Sequence, residues 1–277
     1  MIFVVNNLAT RTFTSVFFVV AMVGSALLGQ TVFAVLLLML TVLSINEFIK
    51  IVTSGNIQPA LWPTLITGSS VYALITANAM GLLKTEWLLA AIPIVFMLFI
   101  TELWRNKPTP FGNIAFELLG IIYIAFPLSL IMYLFDPVIL SGPLHYGVVL
   151  GFFLVLWLND TGAYFIGSLI GKHKLFERIS PGKTWEGSIG GFVFAMLTAW
   201  GLSFIFQQLT VPQWLILALI IVVTGSLGDL VESMLKRSLG IKDSGTFLPG
   251  HGGLLDRFDA VFISAPFVFV YLALFCR

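Results

Sequence analysis

Apolar residues run in long blocks along this chain, and polar residues gather between the blocks. Nine blocks approach the ~20 residues that a helix needs to cross ~30 Å of hydrocarbon. They lie at 12–29, 31–49, 59–80, 86–104, 114–135, 143–159, 186–207, 212–229 and 259–276. The pattern predicts an all-α fold, a polytopic transmembrane helical bundle of about nine spans. Only Gly29 and Gln30 separate the first two blocks, so that pair forms a tight hairpin. The run from Thr12 to Leu28 is read as a span rather than a secretory signal, because the sequence after it is itself membrane-like. Two polar stretches, 160–185 and 230–258, are separated by two spans and therefore face the same side as loops. The chain divides into an N-terminal multi-span region, 1–142, and a C-terminal region, 143–277, that carries the polar chemistry.

Composition agrees with bilayer as the solvent. Of 277 residues, 58% are hydrophobic and 10% charged, whereas a soluble domain carries ~25% charged residues. A net charge of +1 with no basic domain argues against a nucleic-acid partner. Cys276 is the one cysteine, which excludes a disulfide within the chain and any cysteine-based metal site. Numbering the loops alternately places Arg11, Lys50, Arg105, Lys107, Lys172, Lys174, Arg178, Lys183, Lys236, Arg237, Lys242 and Arg257 on one side. Only Lys84 and Arg277 fall on the other. Basic loops resist translocation, so the N-terminus is expected in the cytoplasm and the C-terminus outside. The polar site is then expected to face the cytoplasm, and an inner (plasma) membrane suits such a chain.

Charge is also uneven along the chain: residues 160–259 hold 16 of the 27 charged side chains. Asp229, Glu232, Ser233 and Lys236 are spaced i, i+3, i+4 and i+7, and share one face of a helix leaving the membrane. Asp256 and Asp259, three apart at the start of the last span, converge if that segment is helical. Carboxylates at a membrane boundary are costly, at ~2.5–3.5 kcal/mol each even on lenient insertion scales, unless something pairs with them. A divalent cation would relieve the repulsion. With oxygen ligands and no clustered Cys or His, Mg2+ fits better than Zn2+. Magnesium takes one or two protein carboxylates and completes its shell with water and substrate phosphate.

The rest of the region points the same way. Pro249, Gly250, Gly252 and Gly253 flank His251 in a loop whose main-chain N–H groups can approach an anion. Lys236, Arg237, Lys242 and Arg257 supply positive charge for phosphates. Asn159-Asp160 ends one predicted span, and Ser180-Pro181-Gly182-Lys183-Thr184-Trp185-Glu186-Gly187 opens the next. Gly182-Lys183-Thr184 is not a P-loop, which needs a glycine where Glu177 stands and a preceding buried strand. Lys183 remains a good phosphate contact. Together these features suggest phosphoryl or nucleotidyl transfer, where catalysis is mostly positioning and electrostatics.

The run Ser233-x-Leu235-Lys236-Arg237-x4-Lys242-Asp243-x-Gly245-x2-Leu248-Pro249-x-His251-Gly252-Gly253-Leu254-x-Asp256-Arg257-Phe258-Asp259 resembles the signature of phosphatidate cytidylyltransferases, also called CDP-diacylglycerol synthases. Gly225-Ser226-Leu227-Gly228-Asp229-Leu230 and the Ser180-to-Gly187 stretch resemble the same family. Residues 1–150 match it only as a multi-span region. The resemblance implies that CTP and phosphatidic acid give CDP-diacylglycerol and pyrophosphate, with the bilayer and both substrates as partners and Mg2+ as cofactor. It implies metal-binding roles for Asp229 and Asp256, with Asp259, Asp160 and Glu232 as helpers. Asp229, Asp256, Lys236 and Arg257 form the expected catalytic set. Lys183, Ser233, Arg237, Lys242, His251, Gly252, Gly253 and Asp160 form the expected substrate-binding set. Assembly into a homo-oligomer is left open.

Blander readings stand beside these. Asp229 and Asp256 could be topology-fixing charges at span ends, Asn159-Asp160 a cap, and Glu186 a residue favouring a helix N-terminus. Lys172, Lys174 and Arg178 read as orientation signals or lipid-headgroup contacts, and His145 and His173 as interfacial histidines. Gly187 with Gly191, and Gly167 with Gly171, read as close helix packing. Rival functions are a CTP-dependent enzyme on another lipid (an isoprenoid alcohol kinase or an ether-lipid cytidylyltransferase) and an ion-coupled transporter. The signature disfavours the first. The second predicts polar residues at the bilayer midplane and paired broken helices in both halves, and here charge is concentrated toward one end of the chain.

Overall fold

The computed structural model describes residues 2–135, 146–242, 244–245 and 252–276, with side chains from Thr14 onward. It is built from helices α1 (Ile2–Leu28), α2 (Gln30–Val52), α3 (Leu61–Ala79), α4 (Ala91–Glu102), α5 (Pro110–Gly120), α6 (Phe126–Leu130), α7 (Gly147–Ile170), α8 (Trp185–Ile205), α9 (Val211–Ser238) and α10 (Leu255–Phe275). Short 3-10 or π turns extend α4 backward and join or follow α5 and α6. Each of the nine apolar blocks is helical over most of its described residues. Among the described residues, seven helices are long and apolar enough to cross a membrane. The other two blocks are α1, whose described apolar part is Thr14–Leu28, and α3, which has 19 residues and buries Thr64, Thr67 and Thr76. Gly29 alone separates α1 from α2, at φ 121°, a conformation that only glycine adopts readily.

The chain packs as two compact units, Met1–Met132 with Leu239–Phe258, and Tyr133–Ser238 with Asp259–Arg277. The first unit buries Phe33, Leu37, Ile45, Phe48, Tyr72 and Leu98, and the Tyr72 hydroxyl donates to the Ala34 carbonyl at 2.9 Å. It also holds a buried polar knot. Arg105 lies 2.6 Å from Glu102 and 3.6 Å from Glu117, while Asn113 donates to Glu102 at 2.7 Å and accepts from the Gln58 amide at 2.7 Å. Glu117 accepts from the Ala60 amide at 2.5 Å. One arginine between two carboxylates stitches the α2–α3 connection to α4 and α5.

In the second unit, α7 and α8 approach as only glycine allows. A Cβ at Gly187 would lie 2.8 Å from the Ala163 carbonyl oxygen, and one at Gly191 2.6 Å from that of Asn159. The expected small-residue packing at Gly187, Gly191 and Gly167 is therefore present. Helices α9 and α10 meet the same way, because a Cβ at Gly228 would fall 2.5 Å from the Asp259 carbonyl oxygen.

Two local expectations change. The predicted span ending at residue 159 continues as helix to Ile170, so Asn159-Asp160 is not a cap and 160–185 is not simply a loop. Polar residues at 159–161 do not stop a helix whose polar side is enclosed by neighbours, and Asn159 is buried. The remainder forms an antiparallel hairpin, β1 (Lys174–Phe176) with β2 (Ser180–Thr184), pairing Lys174 with Thr184 and Phe176 with Ser180. This is a small departure from an all-α chain. Pro181 is tolerated because a two-stranded ribbon has only edge strands.

Candidate active site

Four helices and one strand of the second unit enclose a cavity of about 580 Å³. Helix α7 contributes Asn159, Asp160, Tyr164 and Ser168, β2 contributes Lys183, α9 contributes Ser226 and Asp229, and α10 contributes Asp259. Local sequence sets each position. Thr184 has extended dihedrals and its hydroxyl accepts from the Gly187 amide at 3.2 Å, an N-cap that turns β2 into α8 and leaves Lys183 just before the helix. Glu186 accepts from the amides of Lys172 and His173 and lies 2.6 Å from His173 Nδ1, anchoring the base of the hairpin. The absence of side chains at Gly167, Gly182, Gly187 and Gly225 leaves the cavity open.

The cavity is strongly acidic with one cation inside it. Lys183 Nζ lies 2.7 Å from Asp229 Oδ2 and donates to the Ser226 carbonyl at 3.3 Å. The two side chains keep 25% and 39% of their surface exposed, so the pair is accessible to a ligand. Ser233 donates to Asp229 Oδ1 at 3.4 Å, and Asn159 donates to Asp160 Oδ1 at 3.2 Å. Asp259 Oδ1 accepts from the Ala260 amide at 2.6 Å. Three carboxyl groups stand around one lysine, and a bound cation would offset the repulsion between them when they are ionised.

Of the residues expected from the sequence, Asp160, Lys183, Asp229 and Asp259 line this one cavity. Ser233 touches it through Asp229. Lys236 is not among the lining residues; it pairs at 2.7 Å with Glu232, whose side chain is 2% exposed. Arg237, Lys242 and Arg257 are exposed. Gly252, Gly253, Asp256 and Arg257 belong to the first unit, and His251 lies outside the described residues, as does His145.

In that first unit the glycine-rich loop does bring main-chain N–H groups to anions, and the anions are carboxylates of the chain itself. Asp256 Oδ2 accepts from the Gly253 amide at 3.0 Å and the Ser244 amide at 3.2 Å, and lies 2.9 Å from the Ser244 hydroxyl. Glu47, on α2, accepts from the amides of Leu254 at 2.9 Å and Leu255 at 3.1 Å. Sequence reasoning passed over Glu47, as it did Tyr164 and Ser168, and gave Ser226 no role of its own. A lone acid inside an apolar run was the available signal for Glu47.

No three His, Cys, Asp or Glu side chains among the described residues are grouped as an all-protein metal cage. Magnesium does not require one, since one or two carboxylates with water and substrate phosphate suffice. The donor set in the cavity, carboxylates and a serine carbonyl without sulfur or imidazole, fits such a hard cation.

Long apolar helices around an oxygen-rich, lysine-bearing cavity define a helical membrane protein equipped to hold phosphates. The sequence matches the cytidylyltransferase family over residues 9–275, and the chain belongs to that family. It is 34% identical over 269 residues to a phosphatidate cytidylyltransferase of Staphylococcus haemolyticus, covering 95% of this chain and 98% of that protein. A phosphatidate cytidylyltransferase of Bacillus subtilis is 40% identical over 222 residues, 78% of this chain and 76% of that protein. One of Staphylococcus saprophyticus is 44% identical over 178 residues, 64% of this chain and 65% of that protein.

Proposed function

We propose that this chain transfers cytidylate from CTP to phosphatidic acid, forming CDP-diacylglycerol and releasing pyrophosphate for phospholipid synthesis. The observation that carries the reading is the cavity, walled by four apolar helices and a strand, that gathers Asp160, Lys183, Asp229 and Asp259. An oxygen of the lipid phosphate attacks the α-phosphorus of CTP, the bond to the β-phosphate oxygen breaks, and pyrophosphate leaves. The attacking phosphate is already ionised near neutral pH, so no strong general base is needed. Lys183 holds a phosphate oxygen, exchanging part of its contact with Asp229 for the ligand. Asp229 and Asp259 would hold Mg2+, and the signature assigns Asp256 a metal-binding role as well. Bound there, Mg2+ would supply positive charge to the phosphate oxygens as the anhydride breaks. Ser233, Lys236, Arg237, Lys242, Arg257 and the loop at His251, Gly252 and Gly253 are assigned to substrate by the same signature.

The excess of basic residues on one side supports a cytoplasmic face for this chemistry, with the C-terminus outside. The lipid reaches the site from within the bilayer, because moving acyl chains into water costs ~0.8 kcal/mol per CH2. Exposed Phe165, Leu169 and Ile170 on α7 and Ile189 and Val193 on α8 give the unit a lipid-compatible surface.

The deciding experiment incubates purified protein with phosphatidic acid and CTP labelled at either the α- or the γ-phosphorus. Label from the α position in the lipid fraction, with the γ label in pyrophosphate, is the expected result. Label from the γ position in lipid would identify a kinase and overturn the proposal.

A further inference from the structure

The first turn of α10 has no capping residue of its own. The approach Gly252-Gly253-Leu254-Leu255 lacks the Ser, Thr, Asp or Asn that ordinarily satisfies the first amides of a helix. Glu47 supplies the acceptors from α2, some 207 residues away in sequence, with Oε2 on the Leu254 amide and Oε1 on the Leu255 amide. Oε1 also accepts from the Ser244 hydroxyl at 2.6 Å. That hydroxyl lies 2.9 Å from Asp256 Oδ2 as well, so one hydrogen links two carboxylates. The loop is shaped around Glu47. A Cβ at Gly253 would overlap Glu47 Oε1 and Ser244 Oγ, and one at Gly245 would sit 3.1 Å from the Glu47 carboxylate. Glu47, the one acid of α2, is 8% exposed, a costly place for a carboxyl group that only capped a neighbour.

We propose that Glu47 is a positioning residue for the reaction: it fixes the start of α10 and, through Ser244, the carboxylate of Asp256. This rests on the proposed cytidylyl transfer and on the role of Asp256 in it. The residue type follows from the geometry. Two backbone N–H groups meet two different oxygens, and only a carboxylate accepts at both ends. A glutamine would face one of them with its own N–H groups.

The test is a double-mutant cycle on the full-length protein in lipid, with Glu47→Gln, Ser244→Ala and the pair. Glu47→Gln lowers kcat about 10- to 100-fold, the scale of a carboxylate displaced by a fraction of an ångström to about 1 Å, while KM for CTP stays within about threefold. The double variant is no slower than the slower single one, because both cut one link; independent defects would multiply. Should Glu47→Gln fail to insert, Ser244→Ala keeps the cap on Leu254 and Leu255 and severs the link to Asp256. A kcat within about threefold of wild type for whichever single variant folds, or a multiplicative double, overturns the inference. A wild-type protein that makes no liponucleotide overturns the functional proposal and this inference with it, whereas an active wild type with active single variants overturns this inference alone.

Discussion

Gly228→Ala separates the positioning of the site from the stability of the fold. The added Cβ would lie 2.5 Å from the Asp259 carbonyl oxygen, 2.9 Å from Ala260 Cα and 3.1 Å from Asp259 C. All three are backbone atoms and cannot rotate away. Ordinary contact begins at 3.4 Å, so α9 and α10 must part by up to about 0.9 Å at that point. Such overpacking costs about 1–3 kcal/mol, and alanine returns about 1 kcal/mol over glycine within a helix. The net loss of about 0–2 kcal/mol leaves the protein folded. The rate is far more sensitive, since Asp229 directly follows the substituted residue and Asp259 carries the displaced carbonyl. A misplacement of about 1 Å costs about a hundredfold in turnover. Two other glycines grade the effect. Gly225→Ala meets Ser264 Oγ at an ordinary 3.4 Å, and Gly201→Ala meets nothing within 4 Å. The expected order of kcat, measured with labelled CTP and phosphatidic acid alongside melting temperatures, is Gly201→Ala near wild type, Gly225→Ala slightly reduced and Gly228→Ala lowest. Equal activity for Gly228→Ala and Gly201→Ala would refute the reasoning.

Lys183→Met removes the cation of the cavity, and kcat/KM for CTP falls about 10- to 100-fold, as for loss of a charged hydrogen bond worth about 1.5–3 kcal/mol. A change below threefold would show that Lys183 serves Asp229 and not the substrate. Chelation with excess EDTA abolishes turnover and added Mg2+ restores it; undiminished activity in EDTA would exclude a freely exchanging essential metal. A reporter fused after Arg277 reads as external, and a cytoplasmic signal would break the charge-based orientation.

Hydropathy made the helices legible because a membrane span must be both long and continuously apolar, and each of the nine blocks became helix. The acids of the cavity were legible for the opposite reason: Asp160, Asp229 and Asp259 stand where charge is expensive. The course of α7 beyond Asn159 was not, since a polar pair facing an enclosed cavity looks in sequence like a helix end. The hairpin was hidden because Lys174–Phe176 and Ser180–Thr184 are too short and too irregular to show a two-residue period. Asp229, Glu232, Ser233 and Lys236 were legible as one helix face, but the burial of Glu232, which holds Lys236 at 2.7 Å, depends on packing the sequence does not state. Glu47, Glu102 and Glu117 sat within or beside predicted spans without comment. Their partners come from 3 to 208 residues away, and only the folded chain brings them together.

The distance along the chain between Glu47 and the amides it caps has a consequence for synthesis. At about 5–20 residues per second, a ribosome needs about 10–40 s to add the 207 residues between them. Throughout that interval Glu47 lacks the Leu254 and Leu255 amides that it caps in the finished chain. The surroundings of this one α2 side chain are completed only when the last helix begins, and a chain stopped short of Leu254 leaves Glu47 facing an empty seat.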